Sequence, residues 1–201
     1  MKTRILQLAL AAVCILAVGC GEETTNIDVM NDEGGAVMAL DYRDFDQAAS
    51  EMIQSLVASG ALKKPGGGRY VVAKGRIVND TMQHIDTDQL MMKVESEMMN
   101  TGMAVMTSAV GSGTDKLVSE SRELRDSEEF DPNTVAQRGT LIAPDLSISG
   151  KIFQRNIRIS KNKQQVEYYF QLRLSDIKRG LQFWQDEVVV GKRGSSKSVA
   201  W

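Results

Sequence analysis

The chain has 201 residues, with 24 Lys+Arg against 26 Asp+Glu, a single His, two Cys and three Pro. At 42% hydrophobic and 25% charged, it is neither a disordered acidic tail nor a multi-span membrane protein, and its length suits one domain with a real core. A formal charge of −2 sets up no global basic field, so nucleic acid is not an expected partner. One His and two Cys supply neither a His-rich nor a four-Cys zinc site.

The amino terminus opens on Lys2 and Arg4, then runs apolar from Ile5 to Val18 with only Gln7 interrupting. That run is shorter than the ~20 residues of a spanning helix and reads as the hydrophobic region of a secretory signal. It ends in Leu16-Ala17-Val18-Gly19-Cys20. Small residues before a cysteine resemble the bacterial lipobox, in which the signal, here 1–19, is removed and the cysteine, here Cys20, is lipidated. In this chain Leu16 lies one position further back than the usual leucine. The alternative is an ordinary secretory signal with an incidental Cys. At ~0.8 kcal/mol per buried CH₂, several acyl chains on Cys20 make an effectively permanent anchor. Gly21 after the cysteine, rather than Asp, implies by the same resemblance an outer-membrane destination, with the domain facing the periplasm. Maturation removes Lys2, Arg4 and Cys14, leaving 22 basic and 26 acidic residues, a formal −4. With Cys20 consumed by lipid, the domain has no thiol for a disulfide, a nucleophile or a metal.

Residues 20–40 read as an acidic flexible tether: Glu22, Glu23, Asp28, Asp32 and Glu33 precede the next base, Arg43. About 20 residues of coil span roughly 25 Å on average. Residues 41–201 form a single globular domain. A first helix is expected over 45–59, with Asp44 as N-cap, Gln47 completing a capping box and Gly60 as the stop. Its apolar face is Phe45, Ala49, Met52 and Leu56. After the loop Lys63-Lys64-Pro65-Gly66-Gly67-Gly68 comes a strand from about Arg69 to Val78. A strand after the glycines, in place of a helix, argues against phosphate binding. The second helix starts after Asp86, with Ile85 and Leu90 as a hydrophobic staple, and ends at Gly102. A strand follows over 103–109. Thr114 then caps a polar third helix whose exposed side is acidic, and Asp131-Pro132 opens a short fourth helix that Gly139 closes.

From Leu141 the pattern turns to period two. Leu146, Ile148, Gly150 and Ile152 alternate, then Ile157 and Ile159 resume on the other parity, which predicts a bulge near Phe153. Lys161-Asn162 is a turn. Val166, Tyr168, Phe170, Leu172 and Leu174 alternate cleanly. A turn at Asp176–Gly180 leads to a last strand from Leu181 to Val190, and the basic tail Lys192–Lys197 reads as frayed. The class is α+β: a mixed sheet with helices packed against it and a C-terminal antiparallel three-strand meander, in the order α-β-α-β-α-α-β-β-β.

Candidates for catalysis are few. His84 lies in a polar loop and has no obvious partner set. There is no Gly-x-Ser-x-Gly elbow, and Gly111-Ser112-Gly113-Thr114 lacks the Gly-Lys-[Ser/Thr] ending of a phosphate loop. Paired acids for glycoside hydrolysis cannot be placed from sequence. Six of the eleven methionines fall between Met91 and Met106. Thioethers bind Cu(I), but Met91, Val94 and Met98 follow helical spacing, which a repackable core also explains. No catalytic residue, metal site or cofactor is therefore assigned. The one charged constellation is Lys151, Arg155, Arg158, Lys161 and Lys163, five bases in thirteen acid-free residues. On a hairpin they suit an acidic partner or an anionic cell-wall polymer. Edge-strand protection by Lys and Arg is the alternative.

Several segments together resemble a known family. They are the strand Val71–Val78 followed by Asn79-Asp80-Thr81, the helix from Asp86 to Gly102, and the strand from Met103 to Ala109. To these are added Ala143-Pro144-Asp145-Leu146-Ser147-Ile148-Ser149-Gly150, the run Tyr168–Asp176, and Gly180-Leu181-Gln182-Phe183-Trp184. Over roughly residues 40–193 the chain is similar to the penicillin-binding protein activator LpoB family, whose fold is related to CsgG-like and TolB N-terminal domains. The resemblance implies a non-enzymatic outer-membrane lipoprotein. It would bind and stimulate a bifunctional class A penicillin-binding protein and so regulate cell-wall synthesis, with peptidoglycan as a further ligand. Enterobacterial members carry a long Pro-rich tether, whereas here no Pro precedes Pro65. The second reading is a CsgG-like component of a secretion or assembly complex.

Overall fold

The computed structural model describes residues 27–31 and 37–198. Contacts divide the chain into Met1–Glu33 and Gly34–Trp201. In the first unit, Asp28 closes a turn by accepting from the Met30 amide at 3.1 Å and the Asn31 side chain at 2.7 Å. The signal segment 1–19 and Cys20 lie outside the described residues. No helix among the described residues is long and apolar enough to cross a membrane.

The second unit opens with α1, Tyr42–Ser59. Its N-cap is Asp41, not Asp44. The Asp41 carboxylate accepts from the amides of Arg43 and Asp44, and Asp44 Oδ2 accepts from the Asp41 amide at 2.8 Å. The capping box thus sits one turn earlier than expected. A tertiary contact explains the shift: Lys192 Nζ lies 2.7 Å from Asp44 and 3.5 Å from Asp41, so both carboxylates are held at the start of the helix. Phe45, Ala49, Met52 and Leu56 are buried as the spacing predicts, and Gly60 ends the helix at a φ of 74°, which favours glycine.

The strand β1 covers Tyr70–Asp80, running two residues past its expected end because Asn79 and Asp80 pair with Ile152 and Phe153. Helix α2, Thr87–Asn100, is capped by Asp86 and buries Leu90, Met91, Val94 and Met98. Strand β2 is only Ala104–Thr107, and α3, Lys116–Glu123, takes Asp115 rather than Thr114 as its cap. A 3₁₀ turn over Leu124–Asp126 follows. The expected fourth helix is replaced by turns. Asp131 Oδ1 accepts from the Asn133 amide, and the Gln137 amide group donates to the carbonyls of Pro132 and Val135. Side chains there take the backbone groups a helix would have used.

Three long strands complete the chain: β3 Leu146–Ser160, β4 Lys163–Asp176 and β5 Leu181–Ser195. The sheet order is β2-β1-β3-β4-β5, parallel from β2 through β3 and antiparallel from β3 through β5. This is the α+β mixed sheet with a C-terminal meander. Helices α1 and α2 pack together on the face that carries Ile148, Ile152, Tyr168, Phe170, Leu174 and Trp184. Phe45 meets Phe170 edge-on, with ring centroids 5.8 Å apart. Tyr168 spends its hydroxyl inside the domain, donating to the Met38 carbonyl at 2.9 Å and accepting from Gln83. Burial pushes that phenol up to about 12, against the pull of the Gln83 bond.

Two further sequence expectations change. The pairing of β3 with β4 runs unbroken past Phe153, and the irregularity falls between Arg158 and Ser160. Apolar residues change face because the last buried residue of β3 is Ile152, Phe153 and Gln154 are half-buried, and from Arg155 the strand is exposed on both sides. The basic tail is not frayed through Ser195: Gln165 pairs with Arg193 and Lys163 with Ser195. The Ser196 amide then bonds the Asn162 carbonyl. The methionines divide as packing would have it, Met91 and Met98 in the core, Met103 and Met106 against it, and Met92 and Met99 exposed.

Candidate docking face of the sheet

The odd-numbered residues of β3 to β5 form the second sheet face. On β5 every one of them, from Leu181 to Ser195, is exposed. Among the described residues no helix packs on this face, so it presents whatever the three strands align. Register places Phe153 beside Tyr169 and Tyr169 beside Val189. The two rings stack at 4.6 Å with planes 5° apart. Cations close both ends of the stack: Lys151 Nζ lies 5.3 Å from the Phe153 centroid, and the Arg155 guanidinium 5.3 Å from that of Tyr169. Glu167 accepts from the Tyr169 hydroxyl at 2.7 Å and from Gln165 at 2.6 Å, bonds that hold its carboxyl below the usual range. The same bond from Tyr169 raises that phenol.

The five predicted bases do not all share this face. Lys151 and Arg155 lie on it, and Lys163 joins them from β4. Arg158 points to the opposite side of the ribbon, and Lys161 sits in the turn. Lys151 is paired with Asp80. Arg155, Arg158, Lys161 and Lys163 have no carboxylate within ion-pair distance among the described residues, so the hairpin tip remains electropositive. Sequence reasoning missed Phe153, Tyr169 and Val189 as site residues, and Arg193, which donates to Gln165 at 2.7 Å. The alternation of β4 already puts Tyr169 opposite to Phe170, and that was the available signal.

His84 is an exposed loop residue. Among the described residues, no group of three His, Cys, Asp or Glu could hold a metal. An apolar row rimmed by cations on an uncovered sheet has the make-up of a protein-docking surface.

A family model described as peptidoglycan-synthase activator LpoB matches residues 44–190, and the chain belongs to that family. Among solved structures, the chain is similar to the LpoB C-terminal domain from Salmonella enterica at 13% identity and a TM-score of 0.42, covering 73% of this chain and 98% of that one. It is also similar to Escherichia coli LpoB at 10% identity and a TM-score of 0.38, covering 89% and 87%. A Neisseria meningitidis lipoprotein matches at 11% identity and a TM-score of 0.33, covering 65% and 86%. No curated protein sequence matches the chain.

Proposed function

We propose that this chain is a lipid-anchored, periplasm-facing protein of the outer membrane that docks on a bifunctional class A penicillin-binding protein. Without chemistry of its own, it stimulates glycan polymerisation and cross-linking. Such activation requires that the activator bind the synthase's active conformation more tightly than its resting one. Family membership supports the activator role. The observation that carries the docking surface is the hairpin tip, where Arg158, Lys161 and Lys163 have no carboxylate within ion-pair distance among the described residues and Arg155 faces Glu167, next to an apolar row. Charges at such a rim steer an acidic partner and set register.

Reversing the four cations together (Arg155→Glu, Arg158→Glu, Lys161→Glu, Lys163→Glu) is expected to weaken binding to the cognate synthase by about tenfold or more and to remove the stimulation. Raising salt should weaken the native complex in the same direction. Polymerisation accelerated equally by the reversed and native chains refutes this docking surface. Cys20→Ser tests the anchor separately: incorporation of labelled palmitate is expected to disappear and the chain to leave the membrane fraction. Retention of both rules out Cys20 as the acylated residue.

A further inference from the structure

At the pole of the sheet opposite the β3–β4 hairpin lies a pocket of about 410 Å³, lined among others by Lys63, Lys64, Tyr70, Asp145, Lys178 and Phe183. Its frame is rigid. The Asp145 amide donates to the Val71 carbonyl at 2.7 Å, and its carbonyl accepts from the Ile177 amide at 3.0 Å. The Asp145 carboxylate accepts from Lys64 Nζ at 2.7 Å and from the Val71 amide at 3.1 Å. These bonds join the loop after α1 to the β4–β5 turn. The Lys64 bond, with the Val71 amide, holds the Asp145 carboxyl below its usual range against a desolvation that raises it.

The charges around the pocket do not balance. Asp145 neutralises Lys64. Asp176, buried, receives the amides of Lys178 and Arg179 and stands 3.6 Å from the Arg179 guanidinium. Lys63 and Lys178 have no ion-pair partner among the described residues, so four cations face two carboxylates. Lys63 and Lys64 lie beyond the last turn of α1, which carries no base of its own. Lys178 and Arg179 arrive from a different turn: Arg179 stands beside Asp176, and the charge of Lys178 helps hold the Asp145 carboxyl low. The wall beside them is aromatic: Tyr70 is buried and Phe183 is 38% exposed.

We propose that this pocket binds a small oxyanion, a carboxylate or a phosphate, carried on an apolar stem that rests against Tyr70 and Phe183. Lys63 and Lys178 would contact the oxyanion, and Arg179 would close the open side. The length of α1, at 1.5 Å per residue about 27 Å, separates the pocket from Asp41, where the chain enters the domain. The site therefore lies at the other end of α1 from Asp41 and is distinct from the hairpin tip.

The test is a titration of the full chain in detergent micelles with benzoate and, separately, phenyl phosphate, followed by amide NMR. Sodium chloride at matched ionic strength is the reference. The expected result is saturable shifts confined to residues 60–65 and 177–183 for at least one probe, and the probe that saturates tells carboxylate from phosphate. Lys63→Gln with Lys178→Gln should weaken that binding by about tenfold or more while the remaining amides keep their positions. Should the double variant lose its dispersed spectrum, Lys178→Gln alone, in an exposed turn, serves the same purpose. Shifts matched by sodium chloride, shifts centred on the hairpin, no saturation with either probe, or saturation indifferent to the lysine changes each overturn the proposal.

Discussion

Gly150→Ala is expected to destabilise the domain by about 3 kcal/mol and to lower its thermal midpoint by roughly 10 °C. Gly150 sits in the middle of β3, opposite Leu172. A Cβ there would fall inside the contact distance of the Gln171 carbonyl oxygen and 2.8 Å from Leu172 Cδ2. The oxygen belongs to the backbone of the neighbouring strand, so no rotamer change relieves the clash. Strand β4 must move away from β3 in the stretch that carries most of the core. Gly191→Ala is the matched control: it also lies in a strand of the meander, but a Cβ there meets nothing within 4 Å. Thermal melts of the two variants side by side decide the matter. Equal midpoints would show that the close approach of β3 and β4 is not what selects glycine at 150.

The second large effect concerns Lys192, whose side chain is 10% exposed and lies against two carboxylates. Lys192→Met keeps the aliphatic stem and removes the charge. It leaves Asp44 and Asp41 facing each other with Arg43 as their remaining basic neighbour. Breaking a buried pair from one side costs about 3 kcal/mol or more, because the stranded charge keeps its desolvation penalty. Pairing the change with Asp44→Asn should recover much of the loss, since the amide can still accept the Asp41 backbone bond without carrying a charge. A double variant no more stable than Lys192→Met would mean that lost packing, not charge, causes the effect.

Acid sensitivity gives an independent reading. Desolvation raises the Asp41 carboxyl, but the bonds from Arg43 and the Asp44 amide, together with the Lys192 charge, more than offset it, and the group titrates below its usual range. A folded-state value below the unfolded one stabilises the fold above the unfolded value, and that stability is lost as pH falls through the folded one. Removing Lys192 raises the folded value, so denaturant melts of Lys192→Met should begin to lose stability at a higher pH than those of the native chain.

The hairpin shows how far residue patterns reach and where they stop. The inward sets Leu146, Ile148, Ile152 and Val166, Tyr168, Phe170 are all even-numbered, so residues facing one another across the two strands must have the same parity. A two-residue turn at Lys161-Asn162 pairs 160 with 163, which has opposite parity. One extra residue is therefore required, and the sequence demands a bulge. Its position is another matter. A bulge near Phe153 would interrupt the covered part of the sheet, whereas the structure accepts it between Arg158 and Ser160, where both faces are exposed and no packing is lost. That choice sets Phe153 beside Tyr169 and creates the stacked pair. The capping box of α1 follows the same logic. Asp44-x-x-Gln47 and Asp41-x-x-Asp44 both fit the local pattern, and Lys192, nearly 150 positions away, selects the second.

Local chemistry carries the α+β class, the buried faces of both main helices and the alternating meander. The near-neutral composition also hid its own segregation, an acidic amino-terminal stretch and a basic hairpin, which were visible once charges were taken in chain order. Which bases share a face became visible in the assembled sheet. Face membership on a sheet depends on register, and register depends on a bulge whose place is fixed by packing between strands. The pocket at the opposite pole was invisible for the same reason. Lys63 and Lys178 are more than a hundred residues apart, and nothing local to either one reports the other. They meet because Asp145 bonds the two loops together across the end of the sheet.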